Sequence, residues 1–277
     1  MTPQPYRGGP ADIRIVVSDM DGTLLNSEHA IPANFWPLLE IMRERGVLMV
    51  PASGRQLAGI TSMFPDLSGM AFIAENGTFV EMDGHEISST TLDPAAVADT
   101  ISRIRTLGDM ETGMVVCGKK SAYIERSEDA FVREVSRYYG KLAIVDSLDR
   151  VDDDVLKVAL FSFGDIAKTV YPHLGGLATA PQVVVSQLHW IDIMDPAINK
   201  GVGLRALQEV TGVTREQTAV FGDYLNDLEM LDEADYAFAM ANAHPEVARR
   251  ARFAAPSNDD AGVVTMIARL LGVEVQQ

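Results

Sequence analysis

The chain has 277 residues, 47% of them apolar, so it has ample material for a core. Because single domains usually span roughly 100–200 residues, this length predicts two domains or one domain with a large insertion. Lys and Arg number 23 against 39 Asp and Glu, and the formal charge of −16 argues against nucleic acid and anionic membranes as partners. An anionic substrate would therefore need a local positive site, such as a metal ion with one or two lysines.

Neither a disulfide framework nor a targeting segment is expected. Cys117 is the only cysteine in the chain. Residues 1–11 are rich in Pro and Gly and lack the apolar centre of a secretory signal, so they predict a flexible N-terminal tail. Apolar runs stay well short of the roughly 18 residues that a membrane span requires. We therefore expect a soluble, cytoplasmic protein; the sequence makes no prediction of its oligomeric state.

The first element in chain order is an apolar strand that ends in two carboxylates. Four β-branched apolar residues within 13–17 predict a buried strand of a parallel sheet. Asp19 and Asp21 follow at its carboxyl end, the edge at which open α/β sheets bind ligands. Extended backbone would place both side chains on one face, with Cα atoms roughly 6–7 Å apart. Two carboxylates so close repel unless a cation joins them, so the pair predicts chemistry rather than an ordinary turn.

Strands and helices alternate after this point. A helix with an apolar stripe ends at Gly46, a short strand covers 47–50, and a small-residue loop with Ser53 leads into another helix. A third short strand covers 70–74. This order predicts an α/β fold with a doubly wound parallel sheet.

The pattern changes at about residue 79 and returns at 189. Predicted hairpins, helices and strands in between indicate an inserted α+β cap domain: hairpins at 79–87 and 114–124, helices at 94–107, 131–139 and 166–174, and strands at 156–163 and 182–186. Afterwards the α/β order resumes, with strands at 190–194, 218–221 and 236–240 and helices after Lys200 and at 225–231. We therefore predict a catalytic core over 12–82 and 189–277, and a cap over 83–188.

Four short strings place polar residues where predicted strands run into helices. They are DMDGTLL at 19–25, ASGR at 52–55, NKG at 199–201 and GDYLNDLEML at 222–231. In this order they resemble the four signatures of the haloacid dehalogenase superfamily of phosphohydrolases. Together with ENG at 75–77, they resemble its Cof-like sugar-phosphatase branch, which carries a cap between the second and third signatures. The resemblance covers about residues 13–271 and is more specific for the core than for the insert.

This resemblance implies a phosphatase that uses Mg²⁺ and forms an aspartyl-phosphate. Asp19 would be the nucleophile, and Asp21 would protonate the leaving oxygen and then deprotonate the attacking water. Mg²⁺ would be held by a carboxylate oxygen of Asp19, the main-chain carbonyl of Asp21 and the side chain of Asp223. The metal would offset the repulsion between the attacking carboxylate and the phosphate.

Other matched residues would bind the phosphate or support the site. Ser53, Gly54 and Lys200 would contact the phosphoryl oxygens. A lysine at a helix start opposes the helix dipole, which is better explained by a nearby anion. Behind these groups, Asn226 and Asp227 would orient metal-bound waters or the lysine. Arg55 would either contact the distal part of the substrate or form a surface ion pair.

The substrate and two rival functions stay open at this level. A hexose phosphate is the default substrate implied by the resemblance, with flavin mononucleotide or pyridoxal phosphate as alternatives. A phosphomutase of the same superfamily would need cap cations to hold a bisphosphate, and the sequence offers Lys119, Lys120, Arg126 and Arg133. The third hypothesis is a non-catalytic module that binds a phosphorylated ligand. Asp21 argues against it, because a general acid and base would shorten the lifetime of a signalling acyl phosphate.

Overall fold

The computed structural model describes residues 3–108 and 112–274, and these divide into two compact units. The first unit is drawn from Met1–Ser53, Pro65–Ser88 and Asn199–Gln277, and the second from Gly54–Phe64 and Ser89–Ile198. Strands and helices are numbered below along the chain.

The first unit contains a mixed sheet with helices. Its strands are β1 (Gln4–Pro5), β2 (Ile15–Asp19), β3 (Leu48–Ala52), β4 (Ala71–Ala74), β5 (Phe79–Met82), β6 (His85–Ser89), β13 (Thr218–Gly222), β14 (Tyr236–Ala239) and β15 (Phe253–Ala254). Its helices are α1 (Phe35–Glu44), α6 (Lys200–Thr211), α7 (Leu228–Asp232), α8 (Pro245–Arg250) and α9 (Gly262–Leu271). In the described residues the strand order is β1-β15-β14-β13-β2-β3-β4-β5-β6.

Strand β2 lies inside this sheet, as its apolar composition predicts. All five of its residues are buried, and it pairs in parallel with β13 on one side and β3 on the other. The register sets Asp19 opposite Ala52, so the carboxyl ends of β2 and β3 meet at one edge. Fully buried parallel strands are expected to be apolar along their whole length, and the polar residues begin where β2 ends.

Part of the N-terminal segment contacts the sheet. Gln4 and Pro5 pair in parallel with Phe253 and Ala254, and Tyr6 is buried. The Tyr6 ring lies edge-on to the Phe253 ring, with centroids 5.1 Å apart. Pro and Gly content alone does not reveal such an aromatic contact, and the flexibility of residues 1–11 stays a prediction.

The second unit contains an antiparallel sheet with one parallel pair. Its strands are β7 (Thr112–Gly118), β8 (Ala122–Ile124), β9 (Leu142–Ile144), β10 (Val155–Ser162), β11 (Gln182–Gln187) and β12 (Trp190–Met194). Its helices are α2 (Leu57–Thr61), α3 (Pro94–Thr106), α4 (Asp129–Val135) and α5 (Ile166–Thr169). Among the described residues the strand order is β11-β12-β10-β7-β8-β9. Its two faces carry separate apolar clusters, one with Val158 and Ile191 and the other with Ala159 and Trp190.

One predicted strand belongs to a different sheet from the one predicted for it. Residues 190–194 were expected to resume the parallel sheet, but β12 pairs antiparallel with β10 and β11 in the second unit. A fully buried strand has the same apolar run in either kind of sheet, so its composition does not reveal its partners. The second unit accordingly extends to Ile198, beyond the predicted cap boundary at 188. At its other end, β6 continues the first sheet past the predicted core boundary at 82.

Within the described ranges, the helices are all too short or too polar to cross a lipid bilayer.

Candidate active site

The candidate site lies in the first unit, where the ends of β2 and β13 approach the start of α6. Asp19 closes β2, Asp223 directly follows β13, and Asp227 ends the short 3₁₀ turn that comes next. Each of these three aspartates offers one oxygen, and the three oxygens lie within 4.8 Å of one another. Three of the sequence-predicted residues thus form a single carboxylate cluster.

Lys200 holds two of these carboxylates together. It is fully buried, and its Nζ donates to Asp19 Oδ1 and, at 2.7 Å, to Asp227 Oδ1. Burial alone would lower the pKa of Lys200, but the attraction of Asp19 and Asp227 outweighs it and raises that pKa above its usual value. The lysine is therefore an ammonium ion, and the anions expected beside it at the helix start include these carboxylates.

The cluster carries excess negative charge in a buried place. Three carboxylates and one ammonium leave a formal charge of −2. Burial raises the pKa of Asp19 well above its usual range, although Lys200 acts in the opposite direction. Burial, followed by repulsion from Asp227, raises the pKa of Asp223 to about 6. Such shifts indicate carboxylates that lack enough neighbouring positive charge, which is the condition a divalent cation would relieve.

The oxygen spacing also fits a small divalent cation. Oxygens that bind one Mg²⁺ at about 2.1 Å in octahedral geometry lie roughly 3–4 Å apart, and the three oxygens of this cluster, all within 4.8 Å of one another, are compatible with that spacing. The donors are all carboxylates, which hard cations such as Mg²⁺ prefer over sulfur or imidazole ligands. Asp19, Asp223 and Asp227 could therefore hold such an ion.

Gly22 lets the loop after β2 pass against Asp223. Its φ of +83° is in the left-handed region, and a Cβ added there would lie 2.5 Å from Asp223 Oδ2. Only glycine meets both conditions without strain. The next residue, Thr23, is buried and donates its hydroxyl to Asp223 Oδ1 at 2.8 Å. Sequence reasoning missed this contact, and its only signal was a hydroxyl residue directly after the Asp-Gly pair.

Asp21 occupies a different environment from Asp19. Its side chain is 23% exposed, and one of its oxygens lies 3.6 Å from His29 Nδ1. The Asp19 side chain, by contrast, is 10% exposed. A buried carboxylate beside a more accessible one is the arrangement that a nucleophile and a separate proton donor would need. The main-chain carbonyl of Asp21, expected as a metal ligand, stays a prediction.

Asp227 and Asn226 support neighbouring groups, as expected for residues behind the reacting ones. Asp227 Oδ2 accepts from the amides of Asp223 and Tyr224 at 3.0 and 3.2 Å. Asn226 Nδ2 donates to Asn76 Oδ1 at 3.1 Å. Asn76 belongs to the ENG string at 75–77, and it was not predicted as a site residue. The structure places it in the left-handed region, with φ of +58°, and bonded to the predicted site residue Asn226.

The second signature is divided between the two units. Ser53 is buried, one residue beyond β3, and its amide donates to the Ile73 carbonyl at 2.9 Å. Gly54 and Arg55 belong to the second unit. There the Arg55 guanidinium donates to the Arg137 carbonyl at 3.2 Å and lies 5.1 Å from the centre of the Tyr138 ring. The phosphate-binding roles of Ser53 and Gly54 and the substrate contact of Arg55 stay predictions.

Comparison with known proteins identifies the family. Residues 16–267 match the model of the haloacid dehalogenase-like hydrolases. The chain is 32% identical to the 5-amino-6-(5-phospho-D-ribitylamino)uracil phosphatase YbjI of Escherichia coli, an alignment that covers 94% of this chain and 96% of YbjI. It is 27% identical to the HMP-PP phosphatase of Cronobacter sakazakii, over 84% of this chain and 86% of that enzyme.

Solved structures agree with this assignment. SMU.1108c of Streptococcus mutans superposes with a TM-score of 0.84 at 27% identity, over 94% of this chain and 99% of that protein. The match supports an α/β fold of the Rossmann-like type for the core, together with a cap domain. The chain therefore belongs to the haloacid dehalogenase-like hydrolases, in their Cof-like branch, and is a phosphatase of small phosphorylated metabolites.

Proposed function

We propose that this protein is a Mg²⁺-dependent phosphoric monoester hydrolase that transfers the phosphoryl group of its substrate to Asp19 and then to water. The observation that carries the proposal is the cluster of Asp19, Asp223 and Asp227 around Lys200. It supplies a buried carboxylate for attack, a fixed ammonium ion beside it, and oxygen ligands for a divalent cation. Hydrolysis of phosphate monoesters is among the slowest uncatalysed reactions, so a site for it must supply a very large rate acceleration, to which these groups would contribute together.

Within this proposal each side chain has one task. Asp19 attacks phosphorus, and Lys200 stabilises the charge on the phosphoryl oxygens while it fixes the orientation of Asp19. The more exposed Asp21 donates a proton to the leaving oxygen and later accepts one from the attacking water. Asp227 keeps Lys200 in place. When bound, Mg²⁺ supplies Lewis-acid stabilisation and neutralises the excess negative charge of the cluster.

The proposed substrate is a small phosphorylated metabolite with a polar body, such as a sugar phosphate or a ribityl-type phosphate. The name of the Escherichia coli relative supports the second of these, since it acts on a phosphoribitylamino compound. No observation favours a phosphomutase. Of the cap cations considered for that reaction, Lys120 donates to the Asp152 carbonyl at 3.2 Å, and Arg126 pairs with Glu128 at 3.2 Å.

A phosphate-release assay tests this function. The wild-type protein and Asp19→Asn would be assayed on p-nitrophenyl phosphate and a panel of monophosphates, with Mg²⁺ or with EDTA. We expect turnover that needs Mg²⁺ and falls by more than about 10⁴-fold in the variant, because the nucleophile is lost. Asp83→Asn, an exposed turn position in the same unit, is the matched control and should leave the rate unchanged. Turnover that is equally fast in EDTA would rule out the metal-dependent mechanism.

A further inference from the structure

The second unit contains a buried ion pair to which the proposed mechanism assigns no role. Lys157 on β10 and Asp192 on β12 are 2% and 4% exposed, and Lys157 Nζ lies 2.9 Å from Asp192 Oδ1. The two strands are antiparallel neighbours, with Lys157 opposite Met194 and Asp192 opposite Ala159. The two charges are therefore diagonal neighbours on one face of the sheet.

The rest of this face along β10 and β12 is apolar, so the pair is costly to bury. Ala159, Phe161 and Trp190 continue the same alternation along β10 and β12 and belong to one hydrophobic cluster. Two opposite charges removed from water usually give little or no net stability compared with apolar residues of the same size. A stability role alone is therefore a weak explanation for this pair.

The lysine has a second contact that suggests its task. Lys157 Nζ donates to the main-chain carbonyl of Gly54 at 2.7 Å, and Gly54 lies in the same unit. Because a trans peptide is planar, fixing the Gly54 carbonyl also fixes the Arg55 N–H, which points the opposite way. Glycine is the residue with the widest choice of backbone angles, so this peptide would otherwise have several orientations.

Neighbouring contacts hold the rest of this segment. Gln56 exchanges hydrogen bonds with the main chain of Lys141, at 2.8 and 3.1 Å. Gly59 packs so closely that an added Cβ would lie 2.8 Å from the Tyr138 carbonyl. These contacts fix α2 and its start, whereas Lys157 acts directly on the residue that follows Ser53 in the chain.

We propose that Lys157 is a positioning residue for phosphate binding: it fixes the backbone at Gly54, and Asp192 holds the lysine side chain in place. The inference rests on the proposed function and on the predicted phosphate contacts of the Gly54 amide and the Ser53 hydroxyl. The Gly54 amide belongs to the preceding peptide, and holding the Gly54 carbonyl restricts its position because the two planar peptides share the Gly54 Cα. Loss of Lys157 should weaken the binding of phosphate groups without removing any group that reacts.

The test separates backbone positioning from stability. The variants are Lys157→Met, the doubly apolar Lys157→Met/Asp192→Leu, and Asp192→Asn. For each variant we would measure the thermal unfolding temperature, KM and kcat with p-nitrophenyl phosphate, and inhibition by inorganic phosphate. Lys168→Met is the control, because Lys168 is an exposed lysine of the same unit that is also paired with an aspartate. The double variant leaves no uncompensated charge, so it should unfold near the wild-type temperature.

We expect the double variant to bind inorganic phosphate about tenfold more weakly, with KM raised to a similar degree, although its stability is restored. Asp192→Asn still offers Lys157 an amide oxygen as acceptor, so the bond to Gly54 should persist and phosphate binding should stay within about twofold of the wild type. The variant should lose stability, because the buried ammonium then lacks its counter-charge. The proposal is overturned if the double variant binds phosphate like the wild type, or if Asp192→Asn weakens binding as much as Lys157→Met. Wild-type protein without Mg²⁺-dependent turnover would instead defeat the proposed function itself.

Discussion

At the scale of single residues, the site depends on how carboxylates are partnered. Asp19 and Asp227 both form ion pairs with Lys200. Asp223 instead accepts a hydrogen bond from the Thr23 hydroxyl and lies directly against Gly22. This ion pair orients the nucleophile and opposes the rise that burial causes in the pKa of Asp19. Among the described residues Asp223 forms no ion pair with a lysine or arginine, so a metal ion would be a suitable partner for it.

Removing the hydroxyl of Thr23 tests the support of this metal ligand. Thr23→Val keeps the shape of the side chain but deletes the donor to Asp223 Oδ1. We expect the Mg²⁺ concentration for half-maximal activity to rise about 10-fold to 100-fold, the usual effect of losing a group that orients a metal ligand. A Mg²⁺ titration of p-nitrophenyl phosphate hydrolysis measures it. Thr23→Ser retains the donor and should stay close to wild type; equal titration curves for Val and Ser would refute this role.

At the scale of elements, most strands and helices were predictable and their partners were not. The apolar run before Asp19 and the helix of residues 94–106 have strong local signals, and the structure contains both. The strand at 190–194 was recognised but assigned to the wrong sheet. Pairing depends on contacts between distant segments, which no local pattern encodes. The short strand pair Gln4–Pro5 and Phe253–Ala254 was missed for the same reason.

The candidate active site was likewise only partly predictable from the sequence. Asp19, Asp223, Asp227 and Lys200 could be found because their spacing follows known strings, and the structure brings them together. The Thr23 hydroxyl bond could not be found, because it joins residues two hundred positions apart. The buried charge on Lys157 did have a local signal. One lysine in an otherwise apolar strand, and one aspartate in another, indicate a buried pair.

The turn after β2 yields a prediction with a matched control. Gly22 and Gly84 both have positive φ, +83° and +74°, but an added Cβ meets Asp223 at Gly22 and nothing within 4 Å at Gly84. Each Ala substitution should cost about 1–2 kcal/mol of left-handed strain. Only Gly22→Ala should also displace Asp223 and lower kcat/KM, by about a hundredfold.

Thermal unfolding and steady-state rates of the two variants measure these effects. Equal loss of activity at Gly22 and Gly84 would show that strain, and not the approach to Asp223, is the cause.

At the scale of the whole molecule, the formal charge of −16 and the buried acidic cluster make metal binding and stability interdependent. In the metal-free protein the pKa of Asp223 is raised to about 6. A raised carboxyl pKa means that the folded state prefers the protonated acid. The contribution to stability is therefore fully present below the ordinary pKa near 4 and is lost as pH rises through about 6.

Mg²⁺ should reverse this loss, because it binds the ionised cluster of the folded state only. We expect the rise in melting temperature on adding Mg²⁺ to be larger at pH 7 than at pH 5, where a proton must first be displaced. Differential scanning fluorimetry with and without EDTA at the two pH values makes the comparison. Asp223→Asn should remove most of the pH dependence of this Mg²⁺ effect; a rise that is as large at pH 5 as at pH 7 would contradict the account.

The central claim is that Asp19 carries the phosphoryl group between substrate and water. Its most direct test is acid quenching of the enzyme during turnover of p-nitrophenyl phosphate, followed by mass spectrometry of the peptide that contains Asp19. Asp21→Asn would be treated in parallel, because slower breakdown should make the intermediate accumulate. The account predicts a phosphoryl group on Asp19 with Mg²⁺ and none with EDTA. A phosphoryl group on another residue, or none in either protein while phosphate is released, would contradict it.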